Sequence, residues 1–407
     1  MGKEFFKVRM FEGNAKWSES VKRNELIYSR DKDIRNEFMR DYNRIIHCTA
    51  YRRLKHKTQV FFATQNDHIC TRIEHVNHVA SVSYTLAHFL GLNTQLTSAI
   101  AIGHDLGHAP FGHTGEDILK ETAKDKLGEK FWHEKNSLRF VDKIETLQSP
   151  EAKEENLNLT YAVRDGIICH CGEVDDNKII PRDVVFDLET MEKASQTTPF
   201  TWEGCIVKIA DKIAFLGRDF EDALELNILS LDDFEQLKRD IKKDIGYDIK
   251  SINNTVLMHN FMIDLCESSS PEKGIMFSKK NLEIMKYLKK YSYENIYNHK
   301  RLNTFKNYAE LIINSIYDTL IDFYDKEKTL SNIDENYNLY PTLLNEYRRW
   351  LVKYSNIEDK GVREKKYKNY INYDIEKEND YISSVLEFIS GMTDNYAIRV
   401  FNELIRF

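Results

Sequence analysis

HDLGHAPFGHTGE, residues 104 to 116, decides how the chain is read, because it compresses three imidazoles and two carboxylates into a span that no ordinary core requires. His104 and Asp105 are adjacent, and His108, His113 and Glu116 follow at offsets of four, nine and twelve from His104. An adjacent His-Asp pair offers one ring nitrogen and one carboxylate oxygen to a single point, which suits a divalent cation that accepts mixed nitrogen and oxygen ligands. Two ligands do not hold an ion, so partners must come from elsewhere. The best candidates are His75 on a preceding helix and Asp211 on a later one. A purely structural account makes Ala101, Ile102, Leu106 and Phe111 core residues and gives the histidines helix caps or backbone carbonyls. For one histidine alone that account is the more economical. Eight of the thirteen histidines, however, lie between His68 and His133, and such a density beside acids favours a metal or catalytic site.

Outward from this stretch the apolar spacing is helical. The pattern predicts a helix over 72 to 90, with Arg72 and His75 three apart and so on one face. Gly91 stops it, Asn93 or Thr94 caps the next, and a helix over 94 to 105 ends on the His-Asp pair. After Pro110 and Gly112 a helix from Thr114 to about Leu127 carries Glu116 in its first turn, where a carboxylate also suits the helix dipole. Further helices are expected over 132 to 144, 159 to 170 and 203 to 226, with loops over 63 to 71 and 187 to 200. Asp211 falls among Ile206, Ile209, Ala210, Ile213 and Ala214, where an unpaired carboxylate is costly, so it needs a cation. A metal supplies one; Arg218, seven residues on, is the competing partner. The basic cluster Arg52, Arg53, Lys55 and Lys57 reads equally well as a solvated face.

Six prolines and sixteen glycines in 407 residues, with few alternating stretches, predict an all-α fold. The expected organisation is an N-terminal arm over 1 to 34, a catalytic domain over 35 to 267, and a helical C-terminal region over 268 to 407 beginning at SSSPEKG. That last region is expected to pack on the catalytic domain or at a subunit interface. A net charge of -7 argues against a wholesale basic nucleic-acid binder, while leaving room for a local basic pocket. Six cysteines without CxxC spacing, and an N-terminus MGKEFFKVRM with no apolar signal region, predict a cytoplasmic protein with free thiols. No run approaches the roughly 18 apolar residues of a membrane span.

The ordered set His75, His104-Asp105, Asp211 resembles the H…HD…D signature of the HD superfamily of metal-dependent phosphohydrolases. The surrounding text is more specific: RDYNRIIHCTAYRRLKHKTQVF, TRIEHVNHVA, HDLGHAPFGHTGE, FWHEKNSLRF, LTYAVRDGIICH, KIADKIAFLGRDFEDA and ISGMTDNYA together resemble the bacterial dGTPase-like deoxynucleoside triphosphate triphosphohydrolases. The likeness covers most of 35 to 225 and resumes near 389 to 399. It implies a helical HD-domain enzyme that converts a dNTP, dGTP foremost, to deoxynucleoside and intact triphosphate by attack of water at the α-phosphorus. It also implies a homo-oligomer, a hexamer or tetramer, with a second dNTP as a possible allosteric effector and single-stranded DNA as a possible partner.

By the same resemblance His75, His104, Asp105 and Asp211 bind the metal, with Mn or Mg foremost and Fe, Co or Ni as options. His113 and Glu116 form the catalytic pair, and His108 and His133 line the phosphate channel. Gln59 and Asp219 match positions that recognise the sugar 3'-hydroxyl; Val60 and Phe215 match positions that crowd the 2' carbon; Arg72 and Lys212 match phosphate contacts. Two departures stand out: the family commonly has Tyr where this chain has Phe215, and His-x-Ser where this chain has His75-Val76-Asn77. Rival readings are another HD phosphohydrolase, such as a nucleotidase or cyclic-nucleotide phosphodiesterase, and a nucleotide-sensing or single-stranded DNA-binding scaffold.

Overall fold

The computed structural model describes residues 3–25, 32–62, 66, 68–171, 178–357, 359 and 361–406. Its class is all-α. Among the described residues the named strands are one short antiparallel pair, Thr146–Gln148 with Glu154–Asn156.

The histidine-rich stretch is framed by helices α1 (Glu37–His47), α2 (Arg72–Leu90), α3 (Thr94–Gly103), α4 (Gly112–Leu127) and α5 (His133–Arg139). They are followed by α6 (Tyr161–Ile168), α7 (Trp202–Glu225), α8 (Leu231–Ile245) and α9 (Asn254–Ser268). Local chemistry fixes these ends. The Glu74 carboxylate accepts the Thr71 N–H at 2.8 Å to start α2, and Gly91 leaves that helix at φ 82°. Asn93 caps α3 and Thr201 caps α7 through their side-chain oxygens. α4 begins at Gly112, two residues before the expected start, so Glu116 sits beyond its first turn. α5 gives way to a wider turn over Phe140–Ile144 inside the stretch expected to be one helix. Four residues of the expected 63 to 71 loop, at 63, 64, 65 and 67, lie outside the described residues.

Two apolar clusters carry the fold. The first gathers α1, α2, α3, α6 and α7 around residues such as Val76, Ile100, Val163 and Ile206. It extends through α9 to α10 (Lys279–Ser292), so residues on both sides of the turn at 268 to 274 contribute to it, as do Phe5 and Met10 of the arm. The second packs α4 against α11 (Lys300–Ile321), α12 (Pro341–Tyr354), α13 (Glu378–Ser390) and α14 (Asp394–Ile405). No helix among the described residues is long and apolar enough to cross a membrane.

Residues 104 to 111 join the two clusters: Leu106 belongs to the first, Ala109 and Phe111 to the second. This non-helical turn depends on close approach of backbones. A Cβ at Gly107 would lie 2.1 Å from the Ser137 amide nitrogen, and one at Gly115 would lie 1.8 Å from the Pro110 carbonyl oxygen. Phe111 is held at φ 65°, a left-handed conformation that costs a side-chain-bearing residue energy and must be fixed by its surroundings. The fixing group is Asp394 at the start of α14. Its carboxylate accepts the Phe111 N–H at 2.9 Å, the Thr58 N–H at 2.9 Å and the Thr58 hydroxyl at 2.5 Å. Lys57, expected on a solvated face, is instead buried and donates to the carbonyls of His108 and Ser390. The TDN of ISGMTDNYA thus ties the Thr58–Gln59 segment to the histidine-rich turn.

Candidate active site

A cavity of about 950 Å³ opens between α2, α4, α5 and α7 on one side and α10 and α11 on the other. Its floor is the expected cluster. His75 Nε2 lies 3.0 Å from Asp211 Oδ1 and 3.7 Å from Asp105 Oδ2. His104 Nε2 lies 3.4 Å from Asp105 Oδ1 and 3.9 Å from Asp211 Oδ1. His75, His104 and Asp211 present ligating atoms all within 4.8 Å of one another. Arg218, the rival partner for Asp211, is engaged instead with Asp222 at 3.1 Å and Glu221 at 3.6 Å.

The donor chemistry fits a divalent cation. His104 Nδ1 sits 2.6 Å from the Ala101 carbonyl oxygen, so Nδ1 carries the proton and Nε2 is a bare lone pair. That buried Nε2 has no hydrogen-bond partner among the described residues while facing two carboxylates, an arrangement of like partial charges that a cation between them relieves. Two neutral imidazoles and two carboxylates balance a divalent ion and leave positions open. Burial pushes the Asp105 carboxyl upward, but the Arg72 guanidinium and the hydrogen bond from His108 prevail and hold it well below the usual carboxylate range. Burial opposes ionisation of Asp211 as well, and its hydrogen bond to His75 together with the nearby imidazoles brings it below its ordinary value.

Asp105 is the hub of the cluster. Its Oδ1 also receives His108 Nε2 at 3.1 Å, and its Oδ2 the Arg72 guanidinium at 2.8 Å. Arg72, expected to meet phosphate, is therefore buried in an ion pair with Asp105, although it still lines the cavity. A second tier lies beside this one. Glu116 accepts the His133 N–H at 2.9 Å, contacts His133 Nδ1 at 3.0 Å and lies 3.3 Å from His113 Nδ1. It does not cap its own helix; it organises two imidazoles. The His133 ring stacks on His108 with centroids 3.9 Å apart. Burial, Arg72 and His133 lower the His108 pKa well below its ordinary value. Burial works against a charge on His133, yet Glu134 and Glu116 raise it well above the ordinary value. His113 is largely exposed, with 69% of its side chain accessible, and lines the cavity wall.

Gln59, Val60, Phe215 and Asp219 also line the cavity. Gln59 Oε1 is buried with no hydrogen-bond partner among the described residues. Burial pushes the Asp219 carboxyl up to about 7, and it accepts a hydrogen bond from the Tyr297 hydroxyl at 2.5 Å. Lys212 follows Asp211 on α7 but is not among the lining residues. Sequence reasoning missed the opposite wall, where α10 and α11 contribute Lys286, Lys289, Lys290 and Lys306 with Tyr297. It missed His170 too: the CHC triplet at 169 to 171 is the signal, and it lacks the CxxC spacing that marks a metal or redox pair in sequence.

The helical frame and the His/Asp cluster are those of an HD-domain hydrolase: the HD domain family matches residues 72–216 of the chain. A deoxyguanosinetriphosphate triphosphohydrolase-like protein of Bartonella quintana is 31% identical over 94% of this chain and 92% of the relative. One from Clostridium tetani is 31% identical over 95% and 90%, and one from Desulfatibacillum aliphaticivorans is 36% identical over 72% and 75%. The chain belongs to this deoxyguanosinetriphosphate triphosphohydrolase-like family.

Proposed function

We propose that the protein hydrolyses deoxynucleoside triphosphates, with dGTP the first substrate to test, to the deoxynucleoside and inorganic triphosphate. The observation that carries this reading is the convergence of His75, His104, Asp105 and Asp211 at the floor of a cavity whose far wall is rich in lysine. In this reading those four side chains hold a divalent ion, Mn or Mg foremost. When bound, such an ion supplies charge stabilisation at the phosphate undergoing substitution.

The chain's own residues supply the rest. His113 faces the cavity within reach of Glu116, and this pair moves the proton of the attacking water or of the departing 5'-oxygen. Glu116 also grips His133, fixing that ring against His108 along the route a triphosphate takes. Lys290 and Lys306 at the mouth neutralise the outer phosphates. Asp219 and Gln59 accept from or donate to the sugar 3'-hydroxyl, while Val60 and the Phe215 ring fill the space a 2'-hydroxyl needs. Arg72 acts through Asp105 by holding its carboxylate in place. Incubation with each dNTP and Mn or Mg, followed by chromatography, tests the reading: nucleoside plus triphosphate supports it, whereas pyrophosphate, phosphate or nucleoside monophosphate refutes it.

A second, larger groove of about 1430 Å³ lies against α12 and α14, and its lining includes Arg52, Arg349, Arg399 and Trp350. Basic side chains and an aromatic ring in one groove suit an effector dNTP. Stimulation of dGTP hydrolysis by a second dNTP, lost in Arg52→Glu, is the expected outcome; equal rates with and without it refute the effector site.

A further inference from the structure

A second cluster adjoins the first and shares His133 with the phosphate route proposed above, while His170 and Cys171 have no role in that reaction. His170, just past the end of α6, is buried, and its Nδ1 lies 2.6 Å from the Ile167 carbonyl oxygen. Nδ1 therefore carries the proton, and Nε2 is a lone pair with no hydrogen-bond partner among the described residues. It faces Asp105 Oδ1 at 3.8 Å, with the His104 ring centroid 4.8 Å away. Lone pair against carboxylate in a dry site is costly unless a cation is shared between them.

The next residue, Cys171, lines the cavity, and its Sγ lies 3.5 Å from His133 Nε2. One ring nitrogen each of His133 and His170 and the Cys171 sulfur lie within 4.8 Å of one another. Bonds of about 2.0–2.3 Å around a tetrahedral zinc separate its ligand atoms by roughly 3.3–3.8 Å. Small rotamer adjustments close the difference. The groups behind the two imidazoles are those that ligating histidines use: Glu116 on His133 Nδ1 and a backbone carbonyl on His170 Nδ1.

We propose that His133, His170 and Cys171 form a second divalent-cation site, thiophilic and of the zinc class, with its fourth position open to the cavity. One thiolate and two imidazoles select zinc or cobalt over manganese or magnesium, whereas the two carboxylates of the neighbouring set suit the harder ions. Binding sends to solvent the proton on Sγ and any proton on His133 Nε2, and forms the metal–sulfur and metal–nitrogen bonds in their place. With Nε2 occupied, His133 no longer faces substrate, so filling this site lowers turnover. The cation acts here as an inhibitor.

Cobalt(II) titration of the full chain tests the site without using activity, because a thiolate ligand gives a charge-transfer absorption that nitrogen and oxygen ligands do not. The expected result is about two cobalt ions per chain with that absorption, falling to about one without it in Cys171→Ser and in His170→Gln. The double variant His75→Ala with Asp211→Ala separates this site from the first one: it keeps the thiolate absorption while losing the other ion. Wild-type protein that binds about one cobalt and shows no thiolate absorption overturns the proposal. Absorption that survives in Cys171→Ser, or vanishes in the double variant, overturns it as well. Zinc added to manganese-loaded protein is expected to depress dNTP turnover in the wild type more than in Cys171→Ser.

Discussion

Asp394 lies far in sequence from the histidines and yet holds their turn, so its removal offers a demanding test. Three hydrogen bonds end on its buried carboxylate, from the Thr58 N–H, the Thr58 hydroxyl and the Phe111 N–H. Hydrogen bonds to an ionised group contribute about 1.5–3 kcal/mol each, and a buried donor left unmet costs about 1–3 kcal/mol. Asp394→Ala strands two buried amides, since the hydroxyl can rotate away but the backbone cannot. Relief from burying a carboxylate, whose pKa burial raises, offsets part of the loss. The net expectation is a destabilisation of about 3–4 kcal/mol, at the upper end of single-residue effects. Asp394→Asn keeps the shape and one acceptor oxygen but turns an amide N–H toward a donor, so about 1–2 kcal/mol is expected. Urea unfolding of wild type and both variants, compared at unchanged m-value, measures these differences. Because the tethered segments carry Gln59 and Phe111 into the cavity wall, Asp394→Asn is also expected to lose catalytic efficiency under conditions where it remains folded. A loss below about 1 kcal/mol in the alanine variant refutes the tether, because two stranded amides alone would cost more.

Asp211→Ala is expected to abolish activity and metal retention at the first site; stoichiometric manganese after dialysis, read by elemental analysis, contradicts the ligand assignment. His113→Ala should keep substrate binding and lose roughly two or more decades of turnover, the usual size of a general acid-base contribution. Unchanged turnover removes His113 from the chemistry. With Phe215 in the sugar wall, GTP is expected to react far more slowly than dGTP, and equal rates show that the wall does not discriminate. Burial raises Asp219 to about 7 and Asp222 to about 6 in the folded protein. Both bind protons more tightly folded than unfolded, so their stabilisation is present at low pH and is lost as pH climbs through those values. The metal-free urea midpoint should therefore fall between about pH 4 and about pH 7, and fall less in Asp219→Asn; an identical slope in the variant assigns the effect elsewhere.

Much of the fold and part of the candidate site were legible because their signals are local. The Thr71/Glu74 box, Gly91 and Asn93 place the ends of α2 and α3 within reach of their own side chains, and the apolar period of residues 203 to 226 marks α7. The start of α4 was misplaced by two residues because Phe111 adopts a left-handed conformation that the distant Asp394 helps to hold. Lys57 misled for a similar reason. A lysine in a basic run reads as solvated unless distant carbonyls are known to receive it. Cys171 and His170 gave a weak signal, since a His and a Cys become candidate ligands through what faces them.

By itself the sequence determined the helical class, the family and the residue types available for metal and acid-base chemistry, because helical spacing and local capping are properties of neighbouring residues. Only the tertiary structure decided how those residues are deployed. Asp105 collects Arg72 and the imidazoles of His75, His104, His108 and His170 around its two oxygens, Glu116 serves His133 as well as His113, and a carboxylate 336 positions beyond Thr58 holds that residue to the turn. The reason is physical: a tautomer or a shared carboxylate is set by the groups within about 4 Å of it, whatever their separation along the chain.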